Sequence, residues 1–139
     1  MPLFAYKSEG TTMLDHYHID VSTNVIMVKA VGLLTLDSIK DLFVEPMRDP
    51  AFISGLNICC DLRDVKVDIS AQAMWQLVEV HRQCAFRWGK AKCALVASSN
   101  VVFGLGRMYS MCAEPVDEIP LEVRVFRDMT SANEWLSLT

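Results

Sequence analysis

Glycine and proline are scarce in this sequence of 139 residues, which contains six glycines and five prolines. No internal repeat, low-complexity linker or run of like charges divides it, and its length suits a single domain. Long apolar runs are also missing: runs such as 30–34 and 93–97 fall far short of the roughly 20 residues that a membrane-spanning helix needs. We therefore expect one domain that has no membrane span.

Positive charge is in the minority, since 13 lysines and arginines stand against 17 aspartates and glutamates and the net charge is −4. A nucleic-acid-binding domain normally carries a basic patch that complements the phosphate backbone. The nearest approach to such a patch comprises Arg82, Arg87, Lys90 and Lys92, around the expected end of a helix. Cations at a helix C-terminus complement the helix dipole, so we expect no nucleic-acid partner.

Disulfide and metal-site patterns are missing as well. The cysteine count is five, an odd number, and no CxxC spacing occurs. The N-terminus has no charged segment followed by the long apolar stretch of a secretory signal. These features favour reduced thiols in a cytoplasmic protein. Because the cysteines have neither paired spacing nor nearby histidines, we expect no metal and no cofactor.

Catalytic signatures are missing too. The sequence has three histidines and none of the H-E-x-x-H, G-x-S-x-G or P-loop spacings. His81 falls on the apolar stripe of a predicted helix, where a packed and hydrogen-bonded histidine is expected rather than a general base. His16 and His18 share a strand face with Asp20. This pattern indicates either a solvent-exposed strand face or a weak metal-binding site. We predict that the protein is not an enzyme, with catalysis by these histidines as the alternative.

Apolar residues, in contrast, make up 52% of the chain, which excludes intrinsic disorder. Their periodicity predicts an N-terminal hairpin followed by alternating helices and strands. This order indicates an α/β fold with a mostly parallel sheet of about five strands. Right-handed crossovers that step in one direction place the helices mainly on one face. The predicted strands are 17–22, 25–31, 56–62, 93–97 and 121–126, and the predicted helices are 36–47, 71–87, 101–113 and 130–138.

The domain is expected to span residues 15–139, preceded by an N-terminal segment, 1–14. Its most informative polar stretch is the predicted loop 63–69 with the residues beside it. Open α/β sheets bind ligands at the C-terminal ends of their strands, which is where Asp61, Asp68 and Ser70 fall. Ser70 also suits an N-cap, and a free helix N-terminus attracts phosphoryl groups. Since Ser98 and Ser99 take the equivalent place after the next strand, we group these residues as a candidate regulatory or ligand loop.

Gly104 and Gly106 fall inside a predicted helix, where each glycine costs roughly 1 kcal/mol against alanine. They do not form a dinucleotide-binding loop, because they lie within the helix and the third glycine of that pattern is missing. We expect close packing of a neighbouring element there, with the approach of a ligand as the alternative. Arg107 is expected to pair with Glu114 or Asp117, or else with an anionic ligand.

Three segments carry a family resemblance: Cys60-Asp-Leu-Arg-Asp-Val-Lys-Val-Asp-Ile-Ser70, Phe103-Gly-Leu-Gly-Arg-Met-Tyr109, and Val123-Arg-Val-Phe-Arg-Asp with Ala132-Asn-Glu-Trp-Leu136. Together they resemble the SpoIIAA-like (STAS/SEC14-type) family, in particular its small stand-alone bacterial members of unknown function. The resemblance implies a SpoIIAA-like β/α superhelix. It also implies a non-enzymatic regulatory or protein-interaction module, related to anti-sigma-factor antagonists. Its SEC14-type side implies the alternative, a carrier or sensor of a small apolar ligand.

The resemblance also singles out one serine. Anti-sigma-factor antagonists of this superfamily are phosphorylated on a serine at the start of the helix after an interior strand, and Ser70 stands at the matching place. Those antagonists carry Asp-Ser-Ser-Gly where this chain has Ile69-Ser70-Ala71-Gln72. The resemblance thus implies Ser70 as the residue on which a regulatory partner would act.

The apolar content further predicts association. Strands such as 25–31 and 93–97 are apolar on both faces, although the helices are expected mainly on one. The second face of the sheet should then exceed the few hundred Å² that a monomer normally exposes. We expect a partner subunit, and hence a homodimer, to cover it, with segment 1–14 as the competing cover. The apolar excess and the eight methionines also suit the apolar-ligand alternative.

Overall fold

The computed structural model describes residues 12–113 and 121–137. Within these ranges the order of elements is the predicted one, and the mostly parallel α/β architecture is confirmed. The first strand begins at Thr12, inside the segment that the sequence sets apart, and the rest of that segment lies outside the described residues. The strands are β1 Thr12–Asp20, β2 Val25–Leu34, β3 Asn57–Val67, β4 Ala91–Val96 and β5 Leu121–Phe126, and the helices are α1 Leu36–Met47, α2 Ala71–Trp88, α3 Asn100–Ala113 and α4 Met129–Leu136.

The sheet follows the chain, with the strands in the order β1-β2-β3-β4-β5. The predicted hairpin joins β1 to β2 antiparallel, and the other neighbours pair in parallel. The hairpin turns earlier than predicted, because the carboxylate of Asp20 accepts hydrogen bonds from the main chain of Ser22 and Thr23 and so ends β1. Asn24 then takes a positive φ of 61°, a backbone conformation that asparagine tolerates.

The predicted loop 63–69 is wrong over its first five residues, because β3 continues to Val67. The reason is the length of β2, which runs to Leu34 and offers a partner strand beyond the predicted end. After an irregularity at Lys29–Val31, Leu34 pairs with Val67. Asp61 therefore lies inside a strand instead of at the start of a loop.

The main core lies between one face of the sheet and α1, α2 and α3. Thr35 caps α1 by accepting a hydrogen bond from the main-chain N–H of Ser38. The buried stripe of α2 includes Met74, Leu77 and Val78, and Gly89 ends this helix at a φ of 73° that favours glycine. None of the described helices is long and apolar enough to cross a membrane.

The β3–β5 part of the second face of the sheet is covered by α4. Ala132, Trp135 and Leu136 of this helix pack with strand residues such as Cys59 and Ala94 into a second, smaller buried cluster. Over this part of the face no partner subunit or segment 1–14 is needed as a cover, and for the part formed by β1 and β2 both stay predictions. The crossover rule governs helices that join two parallel strands, and α4 follows the last strand of the sheet, so nothing holds it to the face of α1–α3.

Candidate functional site

Asp61 sits at the centre of an ion-pair cluster on the α4 side of the sheet, toward the C-terminal ends of the strands. Its buried carboxylate accepts hydrogen bonds from Arg63 at 2.9 Å through both Nε and Nη2. Lys29 Nζ lies 3.4 Å from Asp61 and 2.9 Å from Asp64, so the lysine bridges β2 to β3. The Arg63 guanidinium lowers the pKa of Asp61 to about 2. This carboxylate is charged at neutral pH and already engaged by cations of the chain itself.

Ser98 joins that cluster to the last strand. Its hydroxyl donates to the carbonyl of Arg63 at 3.5 Å, and its own carbonyl accepts from Arg127 Nη1 at 3.2 Å. Arg127 also donates to Asn100 Oδ1 at 2.9 Å, and its guanidinium lies 4.0 Å from the centre of the Phe103 ring. Ser98 was predicted as a candidate residue, but Arg127 and Lys29 were not, because spacing along the chain carries no signal of pairing between strands.

The other members of the candidate loop hold helix ends. Ser70 Oγ accepts from the main-chain N–H of Ala73 at 3.1 Å, and Ser99 Oγ accepts from that of Val102 at 3.2 Å. Asp68 is exposed, and its main-chain N–H donates to the carbonyl of Leu34. Within the described residues no hydrogen bond links Asp68 or Ser70 to Asp61. The candidate loop thus divides into the Asp61–Ser98 cluster and a separate helix start at Ser70.

The two glycines of α3 differ in their surroundings. A Cβ built on Gly106 would lie 3.0 Å from Val125 Cγ2, so this glycine allows the helix to approach β5 closely. A Cβ on Gly104 would meet nothing within 4 Å, because the residue is on the outer side of the helix. Arg107 is also exposed, and its predicted partners, Glu114 and Asp117, lie outside the described residues.

His81 is packed in the core, as the sequence analysis expects. The residue is fully buried, and its Nδ1 lies 2.8 Å from the hydroxyl of Tyr109. The ring of Phe43 meets the imidazole edge to face, with 6.1 Å between centroids. Burial lowers the pKa of His81 to about 4, although the carbonyl of Leu121 acts in the opposite direction. At neutral pH the imidazole is therefore an uncharged core group.

The possible metal-binding site at His16, His18 and Asp20 gains no support. His18 is exposed, and the side chain of His16 is outside the described part of the structure. Asp20 uses its carboxylate to close the hairpin turn. Among the described residues no group of three histidine, cysteine or acidic side chains is placed to hold a metal ion.

A small cavity of about 70 Å³ lies between the sheet and α1–α3, and its lining is entirely apolar in surface. A water molecule takes about 30 Å³ of liquid, and an engineered cavity of about 150 Å³ binds benzene. The cavity therefore has room for a few heavy atoms in the observed packing. Its lining includes Leu34, Phe43, Cys60, Leu62, Met74, Leu77, Val102, Leu105 and Tyr109.

The outer side of α2 and α3 carries large apolar side chains that face solvent. Trp75 and Phe86 of α2 are 63% and 70% exposed, and on α3 Val101 and Met111 are 68% and 62% exposed, with Met108 at 42%. The two helices pack side by side, so we call this surface the α2–α3 face. This face was not predicted from the sequence, although Trp75 and Phe86 lie off the buried stripe of their own helix and could have indicated it.

Comparison with known proteins agrees with this architecture. No protein-family model and no curated protein matches the sequence. Among solved structures, the chain is similar to an uncharacterised protein of the DUF3478 family with a SpoIIAA-like fold, from Shewanella loihica PV-4. The TM-score is 0.58 and the identity 17%, over 92% of this chain and 97% of the other. The chain has a SpoIIAA-like fold.

Proposed function

We propose that the protein is a non-enzymatic regulatory module that acts by binding another protein through the α2–α3 face. The observation that carries the proposal is the exposure of Trp75, Phe86, Val101 and Met111, each more than 60% open to solvent on neighbouring helices. Large apolar side chains gathered on one exposed surface are typical of interaction sites in folded proteins. Tryptophan in particular is enriched among the residues that dominate binding energy.

The structural roles of the polar candidate residues support the same proposal. Asp61 is neutralised by Arg63 and Lys29, His81 is an uncharged core group, and Ser70 and Ser99 satisfy helix N–H groups. Side chains in these roles serve the fold. The five cysteines are free thiols, which suits a module working in the reducing cytoplasm.

In-cell photocrosslinking tests this proposal. Trp75→p-benzoylphenylalanine places a photoreactive group on the α2–α3 face, and the same substitution at exposed Glu134 of α4 serves as the control on the opposite side. We expect a protein adduct from position 75 and none from position 134. The partner, identified by mass spectrometry and purified, should bind Trp75→Ala at least tenfold more weakly than the wild type. Equal adducts from both positions, or none from position 75, would contradict the proposal.

Ser70 is the residue through which phosphorylation would regulate such a module. Its side chain is exposed at the start of α2, where a phosphoryl group would meet free main-chain N–H groups. Intact-mass analysis of the protein from growing cells should show a phosphorylated species that Ser70→Ala abolishes. A single unmodified mass under all growth conditions would contradict regulation by phosphorylation of Ser70, but not the proposed protein interaction.

A second candidate function is binding of a small apolar ligand, which the apolar lining of the cavity favours. A ligand of more than a few atoms would need α1–α3 to separate from the sheet. Native mass spectrometry of protein purified from cells should then reveal a bound lipid. Leu105→Phe, which fills the cavity, should abolish that mass, whereas Val101→Phe on the exposed side of the same helix should keep it. A bare protein mass from both variants and from the wild type would contradict ligand binding.

A further inference from the structure

The exposed stripe of α2 is complementary to its own reverse. Trp75, Glu79, Arg82 and Phe86 are spaced by four, three and four residues, which places them on one side of the helix. The midpoint between Trp75 and Phe86, between residues 80 and 81, is also the midpoint between Glu79 and Arg82. The stripe therefore runs aromatic, acidic, basic, aromatic about a single centre.

We propose that the α2–α3 face binds a second copy of this chain, with the two α2 helices packed antiparallel about a two-fold axis at that centre. Antiparallel pairing sets Trp75 opposite the partner's Phe86 and Glu79 opposite the partner's Arg82. In a two-fold interface each contact occurs twice, so a stripe must complement itself. The inference rests on the proposed function, because it names the occupant of the same face.

Both charged residues are free to reach a second copy. Glu79 Oε1 and Arg82 Nη1 lie 3.6 Å apart within the chain, and their side chains are 56% and 42% exposed. In the proposed dimer, Glu79 and Arg82 of one copy lie opposite the partner's Arg82 and the partner's Glu79. The four side chains then form a square in which acidic and basic groups alternate. The exposed aromatic rings at either end of the stripe shield that square from solvent, an arrangement typical of binding hot spots.

The neighbouring helix supplies the flank of the interface. Val101, Met108 and Met111 are exposed on α3, which packs beside α2. Gly104, on the outer side of the same helix, has open space where a side chain would be, so a second backbone can come close there. No element of the same chain packs closely against Gly104, and in the proposed dimer the partner's backbone takes that place.

Charge exchange at Glu79 and Arg82 tests the geometry by sedimentation equilibrium. In the proposed dimer, residue 79 of each copy faces residue 82 of the other. Glu79→Arg therefore places two pairs of positive charges across the interface, and Arg82→Glu places two pairs of negative charges there. Each variant should dimerise at least tenfold more weakly than the wild type. The double variant restores opposite charges and should dimerise like the wild type. An equimolar mixture of the two single variants should form a heterodimer, because each then supplies the charge that the other lacks.

Val21→Ala is the matched control, since Val21 is 57% exposed in the turn between β1 and β2, outside α2 and α3. It should leave the dimer dissociation constant unchanged, and circular dichroism should show every variant folded. Monomers at all wild-type concentrations up to about 1 mM, the weak end of specific binding, would overturn the inference. So would single variants that dimerise as tightly as the wild type, or wild-type monomers that cosediment with vesicles of anionic phospholipid. If the chain is monomeric but position 75 still crosslinks to another protein, the proposed function survives and the second copy is excluded.

Discussion

At the scale of single residues, Asp61 and His81 are buried polar groups with opposite electrostatic settings. Asp61 is kept charged by the Arg63 guanidinium, and His81 is kept neutral by burial. In both cases the pKa in the folded chain is lowered from its ordinary value. The two groups therefore destabilise the fold in separate windows of acidic pH, and each can be tested independently.

We predict that Asp61→Asn lowers the free energy of unfolding by about 2 kcal/mol at neutral pH, because it removes a charged acceptor that is buried between half-exposed cations. The pKa of this carboxyl is 3.8 in the unfolded chain and about 2 in the folded chain. Its charged form therefore stabilises the fold fully at pH values above 3.8, and this stabilisation is lost as the pH falls toward about 2. Urea unfolding should therefore show a shallower loss of stability for the variant between these pH values. Asp64→Asn, at a carboxyl whose side chain is 66% exposed, is the control and should change stability little.

His81 should make the fold sensitive to milder acid. Its pKa falls from 6.5 to about 4 on folding, so the unfolded chain binds the proton first as the pH drops. The wild type should lose about 2 kcal/mol of unfolding free energy between pH 7 and pH 5, a range in which Asp61 stays charged. His81→Gln should remove most of that loss, and His18→Gln, at an exposed histidine, should keep it. Identical pH profiles for all three proteins would contradict the buried, neutral imidazole.

At the scale of elements, the two glycines of α3 offer a matched pair. Gly104→Ala should raise the free energy of unfolding by about 0.5–1 kcal/mol in dilute solution, because alanine favours the helix and no atom lies near the new methyl group. Gly106→Ala should give no gain or a loss, because its methyl group crowds Val125 at 3.0 Å. Thermal unfolding of both variants measures the difference. An equal gain from both would show that α3 does not approach β5 as described.

The position of α4 on the second sheet face is tested by its tryptophan. Trp135 is buried there, with its ring centroid 5.5 Å from that of Phe126 and the guanidinium of Arg124 over its face at 5.2 Å. Trp135→Ala should cost about 3 kcal/mol of unfolding free energy, as expected for a large buried aromatic side chain. Exposed Glu134→Ala should stay within about 0.5 kcal/mol of the wild type. Equal stability of the two variants would contradict the placement of α4.

The elements were predictable where one local rule decides them. The stripe of α2, the cap at Ser70 and the stop at Gly89 follow from periodicity and backbone preference, and the structure has all of them. The end of β3 was not predictable, because Arg63, Asp64 and Lys66 read as a polar loop. Their strand is stabilised by pairing with the distant end of β2.

At the scale of the whole molecule, the surface that favours association differs from the predicted one. The apolar content predicted an uncovered sheet face, but α4 covers the β3–β5 part of that face within the chain. The unexplained apolar surface is instead the outer side of α2 and α3. It was not predicted, because periodicity was used only to identify the stripe that a helix buries, and Trp75 and Phe86, which lie off that stripe, were treated as solvated.

The most direct test of this account is fluorine NMR of the chain labelled with 5-fluorotryptophan. Trp75 is exposed, whereas Trp88 and Trp135 are buried, and Trp75→Phe assigns the first resonance. We predict that in dilute solution only the Trp75 resonance shifts between H₂O and D₂O. As the concentration rises to the millimolar range, the same resonance alone should move and lose that solvent dependence. A Trp75 resonance that keeps its position and its solvent dependence at every concentration would contradict the second copy as the occupant of the α2–α3 face.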